Sequence, residues 1–239
     1  MAAPLVANLI CGSPWRNHDY DYARLHLGKV LYDLNGIRTD CWQDFEDGAA
    51  IAQADLLVTY TSQIPVTDKA STTLRRWLEK GGRWFAMHSS SSLAGNTAMA
   101  QILGCQFVDH PPYHEFKVQV MKPEDPLLQG ISDFSVSDEM HCLDIVAKNV
   151  EVLLQSRWGG RGVLGITHEE QDRPLMYRRK IGDAGGGVLY LALGHANRPY
   201  DKPRPDYADQ PDCRGPWGSE PFETLVRRGI EWAARRKEF

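Results

Sequence analysis

The sequence predicts an α/β protein with a mostly parallel central sheet that carries antiparallel additions. Two patterns in its 239 residues lead there. Up to Gly104, short apolar runs alternate with amphipathic helical segments, and that alternation calls for parallel strands joined by right-handed crossovers. Beyond Gly104 the period shifts from helical to extended, so the second half adds strands faster than helices.

Leu5 to Ile10 is short, apolar and bounded by Pro4 and Gly12, as a buried parallel strand is. Its exit loop carries Trp15, His18, Asp19 and Tyr20. From Asp21 onward Ala23, Leu27, Val30, Leu31 and Leu34 recur at helical spacing until Asn35-Gly36 stops the helix. Ile37 to Trp42 reads as a second strand, Glu46 to Ala54 as a short helix and Asp55 to Thr61 as a third strand. Thr67 to Lys80 is amphipathic, with Leu74, Trp77 and Leu78 on one face and Arg75, Arg76, Glu79 and Lys80 on the other.

That helix delivers the chain to Arg83 to Ser92, RWFAMHSSSS, read as an apolar strand, a sharp turn at His88 and a helix running roughly from Ser91 to Leu103. Ligands of open α/β sheets collect outside the carboxyl ends of the strands, and such an elbow pushes its turn residue into that crevice. The four serines either cap the following helix or offer hydroxyls and backbone N–H groups to a ligand oxygen. Further strands are expected at Phe116 to Met121, Met140 to Val146, Glu151 to Ser156, Pro174 to Lys180 and Val188 to Leu193. Arg157 to Arg173 reads as a surface loop or hairpin. Ala196 to Gly218, rich in proline and aspartate, has the length of a lid, a binding loop or a contact surface. Ser219 is placed to cap a last helix that turns Phe222, Leu225, Val226, Ile230 and Trp232 toward the sheet. No repeat or linker divides the chain, so residues 1–239 read as one domain.

Composition narrows the function classes. A net charge of -4 gives no electrostatic case for nucleic acid or an anionic membrane, and a small neutral or weakly anionic ligand fits better. The N-terminal stretch lacks a basic segment and reaches Gly12-Ser13-Pro14 before any apolar run could span a bilayer, so it reads as the first strand. Five scattered cysteines without a CxxC pair suggest neither a disulfide framework nor a zinc ribbon, and a reducing cytoplasm is the simplest setting. No GxGxxG or Walker sequence is present, so no nucleotide cofactor is expected. A homodimer is a prior only, since closed homo-oligomers are common.

The histidines carry the main functional signal. His18 follows the first strand, His88 sits at the elbow, His110 and His114 follow the elbow helix, His141 adjoins Asp138-Glu139, and His195 closes a late strand. Strand ends of a doubly wound sheet converge on one edge, so several of these side chains can meet in one crevice. In an extended segment Glu139 and His141 share a face while Asp138 points the other way, which suits an acid–base pair or metal ligands. Pro111 holds His110 extended and fixes its direction. Trp15, Tyr20, Trp42, Tyr113 and Trp217 are candidate platforms for a sugar ring.

As an ordered set, several of these segments resemble the ThuA-like (trehalose-utilisation) family of the class I glutamine-amidotransferase-like superfamily. The carriers are His18-Asp19-Tyr20, DLLVTYT at 55–61, GGRWFAMHSS at 81–90, LGCQFVDHPP at 103–112, DPLLQGISDF and SDEMH within 125–141, GGGVLYLALGH at 185–195 and RRGIEWA at 227–233. The resemblance implies a flavodoxin-like three-layer sandwich and a link to sugar catabolism, and offers His18, Asp19, His88, His110, Glu139 and His195 as pocket residues. Relatives carry His-Gly after the elbow strand where this sequence has His88-Ser89. Amidotransferases place a cysteine nucleophile at the elbow; position 88 is histidine, so glutaminase activity is not expected.

The expected activity is isomerase, epimerase or lyase chemistry on a sugar or keto-sugar. His88, Glu139 and His195 are the catalytic candidates, and His18, Asp19, Ser89, His110 and Tyr113 the substrate-binding ones. A divalent metal, zinc or similar, is expected on some of His18, His88, His110, Glu139, His141 and His195. The alternative is a non-catalytic carbohydrate-binding or scaffold module.

Overall fold

A computed structural model describes residues 3–198 and 213–236. Its core is a nine-stranded sheet in the order β2-β1-β3-β4-β11-β10-β9-β6-β7. The parallel block holds β1 (Leu5–Gly12), β2 (Ile37–Trp42), β3 (Leu56–Thr61), β4 (Arg83–Met87) and β11 (Gly186–Leu191). The antiparallel additions are β10 (Thr167–Ile181), β9 (Glu151–Arg161), β6 (His114–Val120) and β7 (Phe134–Asp138). Every residue of β3 and β11 is buried, as the apolar runs there require of strands covered on both faces.

The first crossover, through α1 (Tyr20–Asp33), leads from β1 to β2 on one side. The next two, through α2 (Gly48–Gln53) and α3 (Asp68–Glu79), step across β1 to β3 and β4 on the other. With right-handed crossovers this reversal sends α1 to one face and α2 and α3 to the opposite one. In agreement, α1 touches α5 (Glu220–Ala233), and α3 touches both α2 and α4 (Thr97–Leu103). The layers are those of a flavodoxin-like sandwich. The reversal leaves a crevice where β1 and β3 end, the place where such sheets bind ligands.

Several expectations shift in the second half. Met140 to Val146 is not one strand: β7 ends at Asp138, β8 (Cys142–Ile145) pairs instead with β5 (Cys105–Asp109) in a separate two-stranded sheet, and Glu139 to His141 is the link between them. The pattern of Cys105 to Asp109 is too short to announce that strand. Residues 157–173 form the hairpin end of β9 and β10. The β9–β10 ladder is irregular between Pro174 and Met176, as proline brings no N–H to it. Ser219 occupies the N-cap of α5, but its hydroxyl donates to the Pro216 carbonyl (2.7 Å), and the Glu223 carboxylate accepts from the Gly218 N–H (2.8 Å). Most of the 196–218 loop, residues 199–212, lies outside the described residues. Among those described, no helix is long and apolar enough to cross a membrane.

Candidate active site

The elbow exists, but a helix does not follow it directly. His88 takes φ +44°, a left-handed conformation unusual for a residue with a side chain, and opens a 3-10 turn over His88–Ser91. The chain then leaves the helical path at Ser92, and α4 begins only at Thr97, capped by Asn96, whose side chain accepts from Met99 N–H (3.0 Å). The serines are therefore not its cap. Their hydroxyls serve the turn and the neighbouring strand, as serine does where it competes with helix. Ser90 Oγ lies 2.9 Å from Thr59 Oγ1, and Ser91 Oγ accepts from Tyr190 (2.9 Å). Ser89 Oγ is buried without a hydrogen-bond partner. His88 itself is fully buried, not at the mouth of the crevice, and it does not line the cavity whose wall His18, Glu139 and His195 share.

Four side chains converge there. One ligand-capable atom from each of His18, His88, Glu139 and His195 lies within 4.8 Å of all the others. The His18 ring centroid is 4.9 Å from that of His88 and 5.1 Å from that of His195. Glu139 Oε2 sits 3.0 Å from His195 Nδ1 and 4.0 Å from His88 Nε2. His88 Nδ1 lies 2.8 Å from the Ala192 carbonyl, which can only accept, so Nδ1 carries the proton and Nε2 presents its lone pair to the cluster. That Nε2 and His18 Nδ1 are buried and have no hydrogen-bond partner.

The residue that assembles half of this cluster is not among the sequence candidates. Asp138, fully buried, accepts from the N–H groups of Gly194 (2.7 Å), His195 (3.0 Å) and Glu139 (2.8 Å). It pins the loop after β11 to the end of β7, and so sets His195 against Glu139. Glu139 lines the cavity and Asp138 does not. Two of the partners of Asp138 lie 56 and 57 positions along the chain, and no local pattern announces them.

The other expected residues separate. Ser89, His110 and His141 line the same cavity, of about 380 Å³, as His18, Glu139 and His195. His141 stacks on His88 (4.2 Å between centroids) and its Nδ1 lies 3.4 Å from Ser91 Oγ, but neither it nor His110 joins the four-residue cluster. His110 Nδ1 is taken up by the Pro111 carbonyl at 2.7 Å. Asp19 does not line this cavity: it caps α1 by accepting from Tyr22 N–H (3.0 Å) and pairs with Arg198 (2.6 Å) and Arg214 (3.3 Å). Tyr113 also lies off the cavity wall, its ring 6.0 Å from that of His195. No sequence pattern marks Val163 and Leu164, at the hairpin tip, which close part of the wall together with Trp15 and Phe107.

Burial dominates the electrostatics. It pushes the His88 imidazole down to about 3, with His195 adding to the effect. Burial, with His88 and His195, also holds His18 well below the ordinary histidine value, and burial with His88 and His110 does the same to His141. Burial disfavours ionised Glu139, but His195, His110 and His18 outweigh it and keep the carboxyl well below its usual range. Burial raises Asp138 to about 7 against the pull of His195 and the three N–H groups.

A stability profile follows. For the three histidines, lowered in the folded state, stabilisation is complete above about 6.5 and is lost as pH falls, because the unfolded chain takes up protons first. Asp138, raised in the folded state, works in the opposite direction between about 4 and 7. From pH 6.5 to 5.5 the losses at His18, His88 and His141 outweigh the gain at Asp138, so stability falls. Urea unfolding with chelator present, at the two pH values, checks it; equal stability would contradict this charge state.

Comparisons with known proteins agree with this architecture. The family model described as "ThuA: Trehalose utilisation" matches residues 13–206. A putative ThuA-like protein from Parabacteroides merdae superposes with a TM-score of 0.72 at 14% identity, over 98% of this chain and 91% of that one. One from Bacteroides uniformis gives 0.72 at 17% identity, over 98% and 93%. A cytoplasmic protein from Salmonella typhimurium gives 0.59 at 16% identity, over 97% of this chain and 98% of that one, a likeness of fold alone. No curated protein matches significantly. With the family model spanning most of its length, the chain belongs to the ThuA family, a family of trehalose utilisation and hence of sugar metabolism.

Proposed function

We propose that this protein is an enzyme acting on a sugar or keto-sugar by isomerase, epimerase or lyase chemistry, with a divalent metal ion at the base of the cavity. The observation that carries this reading is the buried cluster of His18, His88, His195 and Glu139, in which two imidazole nitrogens have no hydrogen-bond partner. Bare lone pairs held together under a cavity cost desolvation energy and invite a cation. Three imidazoles and a carboxylate suit zinc or a similar first-row ion, and the Ala192 carbonyl fixes His88 as the outer partner of a ligating histidine does.

In this reading His18, His88 and His195 hold the ion, which when bound polarises a carbonyl or hydroxyl oxygen. Glu139, the most open of the four with 19% of its side chain exposed, takes a proton from a carbon next to a carbonyl and returns it. Ser89 lines the cavity, and in this reading its Oγ, buried and unpaired in the free protein, donates to the oxygen on which negative charge develops. Glutaminase chemistry has no part here, because the elbow residue is histidine. The described cysteines are free, which suits a reducing compartment such as the cytoplasm.

The test is zinc titration of chelator-stripped protein by calorimetry, followed by turnover assays on keto-sugars. Stoichiometric zinc is expected, and Glu139→Gln should keep zinc affinity within about tenfold, as for loss of a neighbouring group, while losing about a hundredfold or more in turnover. No metal uptake would end the metal reading. Saturable sugar binding without turnover would favour the binding module.

A further inference from the structure

The tip of the β9–β10 hairpin is held against the cavity by a device the proposed chemistry does not use. Asp109 is fully buried, and its carboxylate is spent on backbone: Oδ1 accepts from His110 N–H (2.8 Å) and Leu164 N–H (3.0 Å), and Oδ2 from Ile166 N–H (3.3 Å). Burial opposes its ionisation, but the Leu164, His110 and Ile166 N–H groups and His168, 3.5 Å away, outweigh that and keep it ionised. The His110 carbonyl accepts from Val163 N–H (2.9 Å). The approach is so close that a Cβ on Gly162 would lie 2.2 Å from Asp109 Oδ2, so only glycine fits there. Residues more than 50 positions apart are thus locked together by a buried charge.

What the lock presents is apolar and exposed. Val163 and Leu164 line the cavity at 36% and 56% exposure, and Trp15, also on its wall, is 60% exposed. Hairpin tips are ordinarily polar, and apolar side chains kept in water by a rigid clamp call for an apolar partner. A free sugar, ringed by hydroxyls, would leave them uncovered.

We propose that the substrate is a glycoside with an apolar aglycone, the sugar resting over the histidine cluster and the aglycone on Trp15, Val163 and Leu164, with Asp109 as the positioning residue that sets this wall. The proposal rests on the reading of the cavity as a sugar site. Continuity decides for the aglycone over an outside partner, since Trp15, Val163 and Leu164 line the same cavity as His18, Glu139 and His195.

The experiment is calorimetry of the full-length protein with methyl and phenyl glucosides, both anomers, with light scattering on the same samples. The phenyl glucoside should bind about tenfold more tightly than the methyl one, the yield of burying roughly 60 Å² of apolar surface. Leu164→Ser should cut that ratio to about threefold or less, and Asp109→Asn, which turns an amide N–H toward backbone donors, should do the same. If Asp109→Asn fails to fold, Leu164→Ser carries the test. Equal binding of both glucosides would overturn the aglycone proposal and leave the sugar reading standing. Binding of neither would overturn the aglycone proposal and leave the keto-sugar reading to the turnover assays above. A dimer that dissociates on Leu164→Ser would assign the patch to a second copy of the chain and overturn the proposal.

Discussion

His88→Asn is expected to leave the protein folded and to abolish turnover, with a loss on the order of a hundredfold or more. The substitution suits the backbone, because asparagine tolerates the left-handed conformation that φ +44° demands far better than most residues. It also suits the outer hydrogen bond, since an amide N–H can donate to the Ala192 carbonyl in place of Nδ1. What it removes is Nε2, the lone pair facing Glu139 across 4.0 Å. Zinc affinity should therefore fall by more than the roughly 10–100-fold that loss of an outer partner costs. Calorimetric zinc titration and thermal unfolding of the stripped protein check this together. Unchanged turnover would take His88 out of the mechanism, and a large loss of stability with intact zinc binding would assign it to the fold.

Asp138→Ala should be the most damaging single change at the site. It strands the N–H groups of Gly194, His195 and Glu139 in a buried setting, and each unsatisfied donor costs about 1–3 kcal/mol. A loss of about 3 kcal/mol or more is expected in urea unfolding, with zinc affinity and turnover falling as His195 and Glu139 lose their common anchor. Asp138→Asn keeps one acceptor oxygen and should lie between wild type and alanine. If Asp138→Ala binds zinc as tightly as wild type in the folded protein, Asp138 does not set the cluster.

The division between what the sequence settled and what the tertiary structure decided runs along the range of the interactions. The parallel block was legible because its signals are local: continuous apolar runs such as Leu56–Thr61, the helical spacing of Leu74, Trp77 and Leu78, and the Asn35-Gly36 stop. The placing of His18, His88 and His195 after strand ends was legible for the same reason, since strand ends of such a sheet gather at one edge. The serine run misled because Asn96, and not a serine, starts the next helix. The family resemblance offered Asp19 as a pocket residue beside His18, yet one position along a helix start turns a side chain from the cavity to the cap. Asp138 and Asp109 were invisible because a buried carboxylate that binds distant backbone N–H groups leaves no spacing to read. Local patterning determined which residues could meet; which of them face one another was settled only when β7, the loop after β11 and the hairpin tip closed over the crevice, satisfying buried charges with backbone brought from elsewhere in the chain.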